Sequence, residues 1–124
     1  MLKTFNKIIG NKGEDIASIF LGQNGFEVVV RNYRKNWGEL DIVARKDNVT
    51  HFFEVKSVTS KYYGHRPEEN VDGFKVRQIR RMISTYLSEN GRGVEEEFKF
   101  HVICVYMNME SRRARVKWIK DVIL

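Results

Sequence analysis

Cysteine occurs once in these 124 residues and proline once. A lone cysteine excludes an internal disulfide, and Cys104 lies in an apolar run, so it is expected to be a buried, reduced thiol, as in a cytoplasmic protein. No apolar run approaches the roughly 18 residues of a membrane span. The first fifteen residues lack the apolar stretch and small-residue cleavage site of a signal peptide. Histidine is scarce, and His51, His65 and His101 have no metal-ligand spacing. Repeats, linkers and low-complexity segments are absent. What remains is the composition of an ordinary globular domain, 42% hydrophobic and 31% charged. The length suits one domain, residues 1–124, large enough to bury a core. The net charge of +6 favours polyanionic partners: DNA, RNA or an anionic membrane surface.

The pattern of apolar residues predicts the order α-β-β-β-α-β-β. A first helix is expected over 11–23, with Ile16, Ala17, Ile19 and Phe20 inward and Gly25 closing it. Residues 26–31 (FEVVVR) predict a strand buried on both faces, followed by a polar loop over 32–38. Strands near 39–46 and 49–57 flank Asp47-Asn48, which suits a two-residue hairpin turn. Residues 58–71, with the proline, Tyr62-Tyr63-Gly64 and His65, predict a long loop. Asp72 is expected to cap a second helix running to about Ser88, with Val76, Ile79, Ile83, Tyr86 and Leu87 inward. Strands over 99–107 and 113–119 complete the set. Three strands in an antiparallel meander and a crossover helix returning the fourth strand parallel to the third give an α/β fold. Its mixed sheet is flanked by helices.

The hairpin carries the chemistry. Its register puts Asp41 directly opposite Glu54, and facing carboxylates repel unless something offsets them. Lys56 shares a sheet face with Glu54. Two carboxylates and an ammonium are the parts of a metal-dependent phosphodiesterase. Mg²⁺ takes one or two carboxylates and keeps several waters. Asp41 and Glu54 fit that need, with the Val55 carbonyl as a further ligand and Lys56 beside the attacking water. A Glu-x-Lys triplet occurs by chance in roughly half of chains this long. Glu97-Phe98-Lys99 is a second one here, read as a solvated strand entrance. The 54–56 triplet differs in its opposed aspartate and in its apolar neighbours Phe52, Phe53 and Val55. An Asp41–Lys56 ion pair on a solvated sheet face is the plain alternative.

Basic residues cluster in three places. Lys75, Arg77, Arg80 and Arg81 load the second helix. Arg31, Arg34 and Lys35 lie beside Tyr33 and Trp37. Arg113, Arg115 and Lys117 share one face of the last strand. Such clusters with interleaved aromatics suit a phosphate backbone, though each alone also suits a solvated face.

The ordered motifs Gly13-Glu14 with Ala17, Gly25-Phe26, Arg31-Asn32-Tyr33-Arg34, Gly38 to Ala44, Phe53 to Lys56 and Lys75 resemble the YraN-like family of small bacterial proteins. That family is similar to archaeal Holliday junction resolvases and to the PD-(D/E)XK nucleases. The resemblance implies a restriction-endonuclease-like core and Mg²⁺- or Mn²⁺-dependent nuclease chemistry on DNA, branched or single-stranded forms included. Asp41, Glu54 and Lys56 match the catalytic and metal triad, Glu14 the helix glutamate that completes it, and Lys75 a family lysine suited to a phosphate. Glu39, on the face of Asp41 by alternation, suits an outer or second-metal ligand. Similar resolvases work as dimers, so a homodimer is open to this chain. The chain departs from the family at His101, where aspartate is usual. Two other readings stay open: a module that binds nucleic acid without cutting, and an interaction scaffold with a vestigial acidic pocket.

Overall fold

The computed structural model describes residues 2–59, 73–91 and 96–124. Five strands form one sheet in the order β1-β2-β3-β4-β5: β1 (Glu27–Lys35), β2 (Gly38–Lys46), β3 (Val49–Thr59), β4 (Phe98–Asn108) and β5 (Arg113–Ile119). Helix α1 (Leu2–Gln23) packs on one face and α2 (Gly73–Glu89) on the other. The meander and the parallel β3–β4 pair match the expected topology, and β5 adds antiparallel to β4. Among the described residues no helix is long and apolar enough to cross a membrane.

Each helix covers its own core. Ile79, Met82, Ile83, Tyr86 and Leu87 of α2 pack with Leu40, Val43, Phe52 and Phe100. Ile9, Ala17 and Leu21 of α1 pack with Ile42, Ala44, Phe53, Ile103 and Val105. Cys104 is buried and unbridged.

Several local expectations need correction. Helix α1 begins at Leu2, and Ile19 is 63% exposed. Its contact line is Ile9, Gly13, Ala17 and Leu21, four apart, with Ile16 and Phe20 beside it. Small residues let the helix sit close to the sheet, and a reading by bulk passes over them. A Cβ on Gly13 would lie 1.7 Å from Ser57 Oγ. The expected end at Gly25 holds: its φ is +84°, and Phe26 N–H donates to the Leu21 carbonyl at 3.0 Å.

Strand β1 is not buried on both faces. It is an edge strand, with Val29 47% exposed at a bulge between Val28 and Val30. It also runs on to Lys35 through the expected loop, leaving Asn36-Trp37 as the turn. Tyr33 and Lys35 are held there by Glu89 at the end of α2.

The hairpin closes as expected, with Asp47 and Asn48 at φ 53° and 64°. Its paired register stops at Ile42–Phe53, one row short of Asp41 and Glu54. The two carboxylates are therefore not a ladder pair. The expected loop 58–71 gives up Val58 and Thr59 to β3. Its aromatics, His65, the proline and the Asp72 cap lie outside the described residues.

Candidate active site

The strands change face where the carboxylates gather. Leu40 and Val43 both pack under α2, whereas Ile42 and Ala44 pack under α1. Strict alternation would put Leu40 with Ile42. The pleat therefore slips by one residue at Asp41. Strand β1 slips at the same row: Arg31 pairs with Asp15 of α1 at 2.8 Å, while Tyr33 packs on Tyr86 of α2. Arg31 opposes Ile42 and Tyr33 opposes Leu40, so Asn32 stands across from Asp41. Asn32 has φ +55°, a left-handed angle that asparagine tolerates better than most residues.

The slip leaves the Asp41 carboxylate at the parting of β2 and β3, reachable from both sheet faces. Its Oδ2 accepts a hydrogen bond from Val55 N–H at 2.8 Å. A strand residue's N–H and C=O point to the same side, so the Val55 carbonyl faces this gap too. Glu54 lies on the α2 side, where Lys75 Nζ sits 2.6 Å and Lys56 Nζ 3.3 Å from its Oε1. Lys56 thus pairs with Glu54, not with Asp41. Glu14 approaches from α1. With its amide nitrogen turned toward the acids, Asn32 donates to Glu14 Oε1 at 3.0 Å and Glu39 Oε1 at 3.1 Å. Arg34 holds Glu39 from outside, Nε to Oε2 at 3.2 Å.

The electrostatics follow from this crowding. Burial, then Glu54, pushes Asp41 up to about 8, against the Val55 hydrogen bond. Glu14 is also raised, chiefly by burial. Lys56 is lowered by burial and by the hydrogen bond it shares with Lys75. For Lys75, burial is outweighed by its hydrogen bonds to Glu54 and Lys56, and it is raised. The buried Asp41 therefore holds its proton at neutral pH, while Glu54 is matched by Lys75 and Lys56. Among the described residues, the Asp41 and Glu54 carboxylates and the Val55 carbonyl offer hard oxygen donors of the kind that suits Mg²⁺ or Mn²⁺. Among the described residues no three acidic, histidine or cysteine side chains are already arranged around one ion position.

The expected site residues separate into two groups. Asp41, Glu54, Lys56, Glu14 and Glu39 come together, and Lys75 joins them as a partner of Glu54. A cleft of about 390 Å³ joins Glu39, Asp41, Glu54 and Lys75 to Arg34 and Gln78. Arg34 borders the acidic cluster through Glu39, Arg31 lies within electrostatic reach of Glu14, and the remaining basic residues lie outside it. Arg31 is tied to Asp15. Arg81 stacks over Trp37 at 4.3 Å. Arg77 is exposed, and Arg80 lines a separate cavity of about 410 Å³ beside Val122 and Leu124. On the last strand, Arg115 stacks over Tyr106 at 4.8 Å.

Sequence reasoning passes over several of these features. Asn32 enters it only as part of a motif, although asparagine within a valine-rich strand is a signal for a left-handed break. Gly13 and Gly38 let α1 and α2 close on the site from opposite faces; a Cβ on Gly38 would lie 2.8 Å from Met82 Cγ. His51 and His101 are not ordinary strand residues. They are buried and bonded, Nδ1 to Nε2, at 2.9 Å.

Residues 13–105 match the profile of the uncharacterised protein family UPF0102. A UPF0102 protein of Clostridium beijerinckii is 34% identical over 120 residues, covering 97% of this chain and 96% of its own length. One from Chloroherpeton thalassium is 34% identical over 110 residues, 88% of this chain and 83% of its own. One from Campylobacter lari is 37% identical over 99 residues, 80% and 84% of the two chains.

Proposed function

The chain belongs to the uncharacterised protein family UPF0102, and on that premise we propose that it is a divalent-metal-dependent endonuclease acting on DNA through Asp41, Glu54 and Lys56. The observation that carries this is the convergence of those three side chains at a parting of two strands, with Asp41 raised to about 8. Buried acids that resist ionisation in a cleft mark functional sites more often than structural ones. The resemblance to PD-(D/E)XK nucleases and junction resolvases supports the same reading, with a restriction-endonuclease-like core.

Asp41, Glu54 and the Val55 carbonyl would hold the cation, with Glu14 and Glu39 beyond them. Bound there, Mg²⁺ or Mn²⁺ supplies a Lewis acid and a hydroxide-like water at neutral pH. The protein's own part is positional. Lys56, its ammonium weakened by burial, donates to the attacking water and offsets charge on the phosphoryl oxygens. Asn32 bridges the Glu14 and Glu39 carboxylates and offsets their repulsion. Lys75, Arg77, Arg80 and Arg81 of α2 carry the phosphate backbone past the cleft. The reading suits a cytoplasmic protein, alone or as a homodimer.

The test is to incubate wild type and Lys56→Ala with duplex, single-stranded and four-way-junction DNA, with and without Mg²⁺ or Mn²⁺. Cleavage that needs both the metal and Lys56 is expected. No such cleavage on any of the three substrates overturns the proposal.

One observation favours a second reading. Glu54 is already neutralised by Lys75 at 2.6 Å, as it would be in a module that binds nucleic acid without cutting. That reading predicts salt-sensitive DNA binding indifferent to Asp41→Ala.

A further inference from the structure

Glu54 carries two ammoniums on one carboxylate oxygen. Lys75 Nζ lies 2.6 Å and Lys56 Nζ 3.3 Å from its Oε1. Like charges held so close repel one another, and together they bring the charge of one divalent cation. The two lysines are held differently. Lys56 stands on β3 beside Glu54, in a row paired to Cys104 of β4, so the sheet fixes its backbone. Lys75 reaches Glu54 from the first turn of α2. A cation at a helix N-terminus works against the helix dipole, and no acidic residue of that turn offsets it. Docking of α2 rests on Ile79, Met82, Ile83, Tyr86 and Leu87, further along the helix. The position of Lys75 is therefore explained by Glu54 and not by the needs of α2.

We propose that Lys75 is a built-in counter-ion: it covers Glu54 in the metal-free protein and leaves that carboxylate on uptake of a divalent cation. The proposal rests on the nuclease reading and adds a control on its metal site. A lysine head is a compact charge on a flexible four-carbon stem. The Lys75 side chain stays 30% exposed, and the cleft of about 390 Å³ that it lines gives the head room to leave Glu54 without movement of α2. Lys56, tied to the same strand as Glu54, stays where the reaction needs it. The cost of parting Lys75 from Glu54 is taken from the affinity for the cation, so the free protein holds its metal weakly. The pair at Glu54 then marks a covered metal site and not a vestigial one.

The test uses the full chain without DNA, so that nothing depends on cleavage. Mn²⁺ is the probe, and the resonance of the free ion reports how much is bound. Wild type is compared with Lys75→Met and Lys75→Gln. The control is Lys35→Met, which removes one charge from the same cleft, where Lys35 is paired with Glu89 and not with Glu54. Both Lys75 variants are expected to bind Mn²⁺ about tenfold more tightly than wild type, the scale of one hydrogen bond to a charged group. Lys35→Met should gain no more than about twofold, through long-range charge alone. A second readout needs no variant. Limited acetylation of wild type, read residue by residue by mass spectrometry, should label Lys75 more heavily when Mg²⁺ is added and leave Lys35 unchanged. No gain for either Lys75 variant, an equal gain for Lys35→Met, or unchanged labelling of Lys75 as metal binds overturns the counter-ion and leaves the nuclease reading standing. Failure of wild type and both Lys75 variants to bind Mn²⁺ at all overturns both.

Discussion

Asn32 faces Asp41 across β1 and β2, at the single row where both strands lose their alternation of faces. That relationship sets up the acidic cluster. It turns Asp41 into the gap and puts an amide nitrogen between Glu14 and Glu39. Asn32→Gly keeps the left-handed angle and removes the amide. Its loss of stability is expected to be larger at pH 8 than at pH 4, below the ordinary glutamate range, because protonation of the raised Glu14 relieves the repulsion the amide had offset. Asn32→Ala should cost about 1–2 kcal/mol beyond an unstrained replacement at both pH values, through backbone strain. Urea melts at the two pH values decide the matter. A loss for Asn32→Gly that does not vary with pH would count against the bridging role.

Asp41 binds its proton more tightly in the folded chain, at about 8, than in the unfolded one. Its contribution is complete below the usual aspartate range near pH 4 and is lost as pH rises to about 8. Asp41→Asn keeps the shape without the charge. It should therefore gain on wild type as pH rises through that window, by at most about 1.4 kcal/mol per pH unit. Mn²⁺ should stabilise wild type at pH 8 and leave Asp41→Asn almost unmoved, a difference readable by thermal melts.

Gly13 is tight against β3 and Gly10 is not. A Cβ on Gly13 would overlap Ser57 Oγ, whereas among the described residues nothing lies within 4 Å of one on Gly10. Gly13→Ala should cost about 1–3 kcal/mol by overpacking and move Glu14 away from Asp41. Adding Ser57→Gly should recover much of that loss. Gly10→Ala, in the same helix, should stabilise by about 0.5–1 kcal/mol. Chemical denaturation of the four proteins checks the order. Equal effects at both glycines would show that α1 does not approach β3 so closely.

The histidine pair sets an acid limb of the opposite sign. Asp121 N–H donates to His101 Nδ1 at 3.0 Å, which leaves Nε2 to donate to His51 Nδ1. Burial lowers both rings, His101 to about 4 with help from His51. A lowered folded value means stability is lost as pH falls from the ordinary histidine range near 6.5 toward 4. His101→Gln should flatten that limb. The unfolding midpoint followed between pH 4.5 and 7 is the measurement, and an unchanged slope would remove His101 as its source.

The sequence alone determined the order of elements, the parallel return of β4 beside β3, and the candidate residues Asp41, Glu54 and Lys56. Those follow from local rules. Apolar period separates helix from strand, Asp47-Asn48 dictates the turn, and a crossover helix permits the parallel pair. Four outcomes were settled by tertiary structure. Edge position exposed Val29 and let β1 run on to Lys35. Close helix–sheet contact made Gly13 and Ala17, rather than Ile19, the inner line of α1. The proximity of α2 brought Lys75 onto Glu54. The slip at Asn32 and Asp41 ended the ladder before the carboxylates could face one another. In each case the deciding energy is a contact between residues distant in the chain, and alternation along one strand carries no information about it.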